Sequence, residues 1–493
     1  MVARVRWSAR DWASLIGLLA ATLIVRITCL RTIDLGGDAT FKWFFVRSWP
    51  FANTWVFDHH TARFSINVWI WMVQRLFGTH PNGMYLPPLL ASLAQVPLLY
   101  ACGRALGVPA AGFLACLLLL LFDPAHDASS QLLPGIFQAT YVLAALHGVL
   151  RFARAPEQGR RWLWATGIWL FVAYLAMVTS VYVFPGVALG IWCVRRSVRD
   201  VAQVFGVFGA LWLLETIGYA LWSPYPLGQF QLILHTHTDV KPTTFFGLFD
   251  RFRALPHDWQ GVLLTWLACA GAWLGFFRRR QPQQPGNYAL WLVPASALAG
   301  ITFGIKHLNP IIPATDFSVR YCDVLMPLVA LGLGCTAAWL AELAGRRPRP
   351  ALAAFALVVA AGGAVRQYRP AEPALHVTDQ QFRILNDALA RNLPIVGANR
   401  SEHFQMKTLT CIQWGYIEEQ KLLADGELRL FQLGKTRVGS RIHRFLARTE
   451  LDPELVARAI KSHQCLVTAT RLDAEPKLGL SVFDGPDCPR ARD

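Results

Sequence analysis

The chain has 493 residues, 54% of them hydrophobic and only 16% charged, with 19 Trp and a formal net charge of +16. That is too apolar for an ordinary soluble domain and describes a polytopic membrane protein. The basic excess does not signal nucleic acid, because the arginines cluster in short loops between apolar runs, the pattern of cytoplasmic membrane loops.

The first apolar run, Trp12 to Leu30, follows Arg4, Arg6 and Arg10. It is long for a signal-peptide core and no A-x-A cleavage site follows it, so it is expected to be a retained first span. The loop 31–83 comes next and is rich in aromatics. Within it, ATFKWFFVRSW (39–49) and ARFSINVWIWMVQRLF (62–77) mix Trp and Phe with bases. Both read as short helices lying at the membrane interface, or as aromatic-belt anchors. Either reading holds Asp38 and the cluster Asp58-His59-His60 near the headgroup plane.

A span needs about 17–25 apolar residues. Further candidates are 84–104, 107–122, 131–153, 161–178, 180–195, 201–222, 259–277, 287–305, 321–343 and 350–366. With the first run this makes about eleven spans by the length rule. The pair 161–178 and 180–195 has almost no loop. As one helix it would be roughly 50 Å long, too long for a ~30 Å hydrocarbon core. Thr179, Ser180 and Pro185 offer a turn there. With a cytoplasmic N-terminus, Arg104 and the clusters at 151–161, 195–199, 278–280 and 345–349 all fall inside. The segments 122–130, 223–258 and 306–320 fall outside, as does the C-terminus.

From about residue 371 the composition changes. DQQFRILNDALARNL (379–393) has helical spacing and PIVGA (394–398) reads as a strand; 452–463 and CLVTATRL (465–472) repeat helix then strand. The expectation is a small periplasmic α/β domain over 371–493, beside a membrane domain over 1–370. The ten cysteines are mostly single residues in apolar runs, where Cys acts as a small hydrophobe, and no spacing suggests zinc. Geometry decides whether Cys411, Cys465 and Cys488 contribute a disulfide. No Gly-rich phosphate loop is present, and Asn399-Arg400-Ser401 matches a glycosylation acceptor of a kind common by chance.

The outer face collects polar residues at span ends: Asp38, Arg63, Asp123, His126, Asp127, Glu215, Lys306, His307, Asp316 and Arg320, with His235, His237, Asp239 and Lys241 after the seventh span. Charge at membrane depth is costly and usually faces a cavity or partner. A carboxylate there can act as general base towards a hydroxyl, and Arg or Lys can hold a phosphate. Each residue also has a bland role. Asp38 suits a Gly-Gly-Asp turn, Asp127 a helix N-cap, and Asp123 before Pro124 a turn. Arg320 can snorkel beside Tyr321, Arg63 can meet headgroups, and Glu215 can pair helices. Asp58, His59 and His60 are adjacent and rarely would converge on one ion, so a divalent metal is not expected, nor any cofactor. Gly186 and Gly190 read as close packing within the bundle rather than a dimer face.

Four segments taken together resemble the GT-C superfamily of membrane glycosyltransferases, in the branch of protein O-mannosyltransferases and the lipid A aminoarabinose transferase. They are GGDATFKW (36–43), HHTARFSINVWIWMVQRLFG (59–78), FDPAHDASSQLLPGIFQATYVLAALHGVLRF (122–152) and SVRYCDVLMPLVALGLG (318–334). The first departs from the family, whose Asp is usually followed by Glu where this chain has Ala39. The resemblance covers roughly residues 10 to 345 and rests on order and topology more than on any short string. It implies an inverting transfer of a sugar from a polyprenyl-phosphate donor to a periplasmic glycan, lipid or protein; the Ala/Arg/Leu-rich composition and simple topology point to a bacterial inner membrane, with an endoplasmic-reticulum enzyme as the alternative. It assigns Asp38 as the base and Asp127 as a second acid. Arg63 and Arg320, helped by Lys42, Lys306 or His307, would hold the donor phosphate. His59, His60 and Glu215 would contact substrate. Two other classes stay open: a lipid-linked sugar flippase or solute transporter, and a non-catalytic assembly subunit. Transporters often carry internal repeats and midplane sites, whereas here no repeat is visible and the polar residues gather at one face.

Overall fold

The computed structural model describes residues 7–30, 62–78, 81–222, 226–231, 257–274, 286–308, 311–313 and 319–343, some single positions between them, and five strands after residue 395. It divides into two compact units. The first comprises Met1–Leu30, Phe57–Val68 and Leu86–Arg369; the second comprises Arg31–Val56, Trp69–Tyr85 and Pro370–Asp493.

The first unit is a bundle of helices. Helix α1 (Ala9–Thr28) starts at a capping box, in which Ser8 and Asp11 satisfy each other's backbone N–H. Helix α2 (Phe64–Phe77) begins in this unit and its later residues belong to the second. Helices α3 (Leu86–Ala105) and α4 (Pro109–Leu121) follow, and α4 turns by 86° into the short α5 (Asp123–Ser130). Then come α6 (Pro134–Arg154), α7 (Gly159–Ala176), α8 (Phe184–Arg195), α9 (Val198–Trp222), α10 (His257–Ala272), α11 (Gly286–Phe303) and α12 (Leu325–Leu343).

Helix α6 is the axis of the bundle. It starts with Pro134, whose missing N–H is no loss in a first turn, and ends with Arg151 and Arg154, which suit the negative end of the helix dipole. Nearly all its residues are buried, and α3, α7, α8, α11 and α12 pack around it. Buried hydroxyl and amide groups tie it in: Gln95 donates to the Thr140 hydroxyl at 3.1 Å, and Gln138 to the Ser180 hydroxyl at 3.0 Å. The doubtful pair of spans is broken, as Thr179 and Ser180 suggest: Val178–Val183 is a 3-10 turn between α7 and α8.

Six described helical stretches are long and apolar enough to cross a membrane, and a seventh if α4 and α5 count as one bent span. The chain is therefore a multi-pass membrane protein. Helix α4, at 13 residues, covers only about 20 Å alone. Ten of the eleven expected spans coincide with described helices, while 350–366 lies outside the described residues.

The two ends of the bundle differ. At one, Arg154 donates to the carbonyl of Arg104, Arg104 pairs with Asp11, and Arg195 reaches the Pro156 carbonyl at 3.5 Å. This basic face joins the start of α1, the end of α3, the α6–α7 turn and the end of α8. The opposite end carries the start of α2, helix α5, the start of α6, a 3-10 turn at Val319–Val324 and the antiparallel hairpin of β1 (Ile305–Leu308) and β2 (Ile311–Pro313).

In the second unit, Ala39, Lys42, Trp43 and Val46 are helical and buried, a spacing that places them on one helix face. Gln74 of α2 donates to the Trp43 carbonyl, and the Trp43 indole lies so close to Gly83 that a Cβ there would meet it at 2.6 Å. Strand β3 (Val396–Gly397) lies between β4 (Phe431–Gln432) and β5 (Phe445–Leu446), parallel to both. Strands β6 (Leu466–Leu472) and β7 (Glu475–Phe483) form an antiparallel pair. The strands expected at 394–398 and 465–472 appear here, and the helices expected at 379–393 and 452–463 lie outside the described residues.

Candidate active site

The end opposite the basic face gathers half of the candidate residues. Arg63 sits at the start of α2 and is buried. The Tyr141 hydroxyl of α6 donates to the Ser65 carbonyl at 3.0 Å and fixes that start against the bundle. Asp127 is on α5, and Arg320 is on the 3-10 turn that leads into α12. Helices α5 and α6 both pack against that turn. Lys306 and His307 are on β1, directly after α11. The backbone therefore brings Arg63, Asp127, Arg320, Lys306 and His307 to one end of the bundle, while the side chains of the last four lie outside the described residues. Asp38, His59 and His60 lie outside them altogether, and Lys42 is a buried residue of the second unit. Among the described residues no group of three or more His, Cys, Asp or Glu could hold a metal.

Two buried side chains shape the α4–α5 corner that carries Asp127. Arg26 of α1 donates from Nη2 to the Leu119 carbonyl at 3.0 Å and from Nε to the Ser92 hydroxyl at 3.2 Å. The His126 ring nitrogen Nε2 donates to the Leu120 carbonyl at 3.0 Å. Leu119 and Leu120 are among the last carbonyls of α4, which have no partner within the helix. The hydroxyls of Ser129 and Ser130 return to the His126 carbonyl at 3.0 and 2.9 Å, closing α5 on itself. Arg251 does the same for α11, donating to the carbonyls of Ile301 and Thr302 at 3.2 and 3.4 Å. The guanidiniums suit these negative helix ends.

Asp323 is a further acid at this end, three residues after Arg320 and buried. Its carboxylate lies against Gly135, the second residue of α6, so closely that a Cβ there would sit 2.2 Å from Oδ2. The first-turn N–H groups of α6 favour an anion at that place. Sequence reading passed over Arg26 and Asp323. The signal for Arg26 was a charge inside a span, and for Asp323 an acid at i+3 from Arg320 on one short turn.

Glu215 belongs to a separate polar cluster near the end of α9. Both its carboxylate oxygens are shielded from solvent, as are the Tyr174 hydroxyl at the end of α7 and the side-chain amide of Gln229. Tyr219, one turn beyond Glu215, meets Phe64, the residue after Arg63, ring to ring at 6.1 Å in a tilted arrangement. The cluster thus adjoins the start of α2. Tyr174 and Gln229 were not singled out from sequence, since each is a lone polar residue beside apolar ones.

Comparison with known proteins places this architecture. No protein-family model matches the chain, and no curated protein matches it by sequence. Among solved structures, ArnT from Cupriavidus metallidurans bound to undecaprenyl phosphate aligns over 96% of this chain and 98% of its own, at 13% identity and a TM-score of 0.52. The apo state of the same protein aligns over 94% of each chain at the same identity and TM-score. The chain has the GT-C fold. The archaeal oligosaccharyltransferase AglB from Archaeoglobus fulgidus aligns over 75% of this chain and 56% of its own, at 11% identity, and its TM-score of 0.44 adds no support. In this GT-C fold the expected order of segments holds: α2, the α5 corner and the turn before α12 follow one another at the same end of the bundle.

Proposed function

We propose that the chain is an inverting glycosyltransferase that moves a sugar from a polyprenyl-phosphate donor to an acceptor outside the cytoplasmic face of a bacterial inner membrane. The acceptor is a cell-envelope glycan, a lipid or a protein. The observation that carries this reading is the gathering of the Arg63, Asp127 and Arg320 positions at one end of a GT-C bundle, opposite a face rich in arginine.

In the proposed step an acceptor hydroxyl attacks the anomeric carbon from the side opposite the phosphate. The new carbon–oxygen bond forms as the bond to the phosphate oxygen breaks, which inverts the configuration. Asp38 takes the hydroxyl proton, as a carboxylate within reach of a nucleophile can. The leaving phosphate gains charge, and Arg63 and Arg320, with Lys42, Lys306 or His307, stabilise it. Asp127 orients the acceptor or the sugar, and His59, His60 and Glu215 contact substrate. The roles need no metal and no nucleotide.

The test is a transfer assay on purified protein in nanodiscs, with radiolabelled polyprenyl-phosphate sugars and a membrane extract of acceptors. Wild type is expected to transfer label and Asp38→Asn to lose at least about 100-fold in rate, the lower range for a general base. Wild-type turnover by Asp38→Asn would remove the base assignment. No transfer from any donor by intact wild type would favour the transporter or assembly reading.

A further inference from the structure

The basic face holds more than scattered loop charges. Arg151 and Arg161 both lie against the indole of Trp162, with guanidinium carbons 4.8 and 5.2 Å from the ring centroid. His147 meets the same ring edge-on at 5.7 Å. Arg154, on the next turn of α6, donates to the carbonyl of Arg104 at the end of α3. The guanidiniums of Arg154, Arg161 and Arg104 all act on that of Arg151. Three basic side chains are thus grouped around Arg151, with Arg161 sharing the Trp162 ring and Arg104 and Arg154 on the neighbouring helix ends. Asp11 engages Arg104, yet the patch keeps an excess of positive charge.

Loop arginines kept only for topology gain nothing from crowding, since like charges repel. Here the crowding is held by cation–π contact of two guanidiniums with one indole, Trp162. Planar, oriented guanidiniums match phosphate oxygens two at a time. The patch lies at the ends of the helices α3 and α6 and the start of α7, and Arg154 and Arg161 are exposed. Basic pockets between helices on the cytoplasmic side are suited to headgroups with more than one phosphate.

We propose that Arg151 and Arg161 around Trp162, together with Arg104 and Arg154, form a binding site for a dianionic phospholipid of the cardiolipin type. One phosphate would engage the Arg151–Arg161 pair and the second the Arg104–Arg154 pair. The site is independent of the proposed transferase chemistry, which belongs to the opposite end of the bundle.

The test uses the full chain in phosphatidylcholine nanodiscs. These carry either cardiolipin or twice the mole fraction of phosphatidylglycerol, so that total charge is equal. Lipid retained after extraction is counted by native mass spectrometry. Wild type is expected to retain cardiolipin about tenfold better than phosphatidylglycerol. Arg151→Gln with Arg161→Gln is expected to lose that preference, and Arg160→Gln, whose side chain lies over Trp164 instead, to keep it. Arg151→Lys with Arg161→Lys keeps the charge but loses the planar fork, and is expected to retain both lipids alike. That second pair keeps the test decisive if the Gln pair fails to fold. Equal retention of both lipids by wild type would overturn the proposal. So would an unchanged preference in the Lys pair, or displacement of cardiolipin by soluble pyrophosphate at equal phosphate concentration.

Discussion

The residues that shape the outer end act mainly on carbonyls and N–H groups left over at helix ends. Arg26 is the plainest case. It is buried, two of its nitrogens are engaged, and its third, Nη1, has no partner among the described residues. A buried guanidinium that loses one partner keeps its desolvation cost, so its neighbours matter more than their size suggests. Ser92→Ala strips Nε of its acceptor and should lower stability by about 1–3 kcal/mol, seen as a lower thermal midpoint in detergent. Asp323 and Gly135 make a second pair. Gly135→Ala would push a methyl group into the carboxylate and move the turn that carries Arg320. It should cost about 1–3 kcal/mol as overpacking. Because the Asp323 Cβ and Cγ would also be only 2.8 Å away, Asp323→Gly should make room and abolish most of the added cost. A double-mutant cycle by thermal unfolding measures this, and additive penalties would mean that the two residues do not press on each other.

At the scale of elements, the sequence was most informative where composition alone decides. Apolar length located the helices and arginine located the basic end of the bundle, because both follow from the bilayer rather than from packing detail. The break between α7 and α8 was readable from Thr179, Ser180 and Pro185, since one straight helix would not fit the membrane. The hairpin bearing Lys306 and His307 was not readable: IKHLNPIIP offers a strand-like run too short to separate from a loop. The caps by Arg26 and Arg251 were hidden for another reason, since each joins residues far apart in sequence, over 93 positions for Arg26 and Leu119. The reading of Gly186 and Gly190 as internal packing agrees with the contacts, for a Cβ at Gly186 would lie 2.3 Å from the Leu292 carbonyl and one at Gly190 2.8 Å from Ala289 Cβ. Gly190→Leu should therefore wedge α8 from α11 and cost about 1–3 kcal/mol or more. The oligomeric state, followed by light scattering in detergent, should not change, whereas a dimer face would show a change in mass.

At the scale of the whole molecule, the arginines argue which end faces the cytoplasm. The basic face is one surface built by contact, because Arg104, Arg154 and Arg195 bond to neighbouring helix ends. Short loops rich in Arg resist translocation, so this face should be cytoplasmic and the α5 corner with Asp127 should be outside. The orientation is checked by reporter fusions at two points. A fusion after Gln158, in the α6–α7 turn, should give green fluorescent protein signal and no alkaline phosphatase activity. A fusion after Gln131, at the end of α5, should give the reverse. The two points lie at opposite ends of α6, so one helix separates them and their readings must differ if α6 crosses the membrane. The reverse pair of readings would put the arginines outside. It would also place the proposed phosphate and acid residues in the cytoplasm, where a nucleotide sugar could serve as donor and the case for a lipid-linked one would fall.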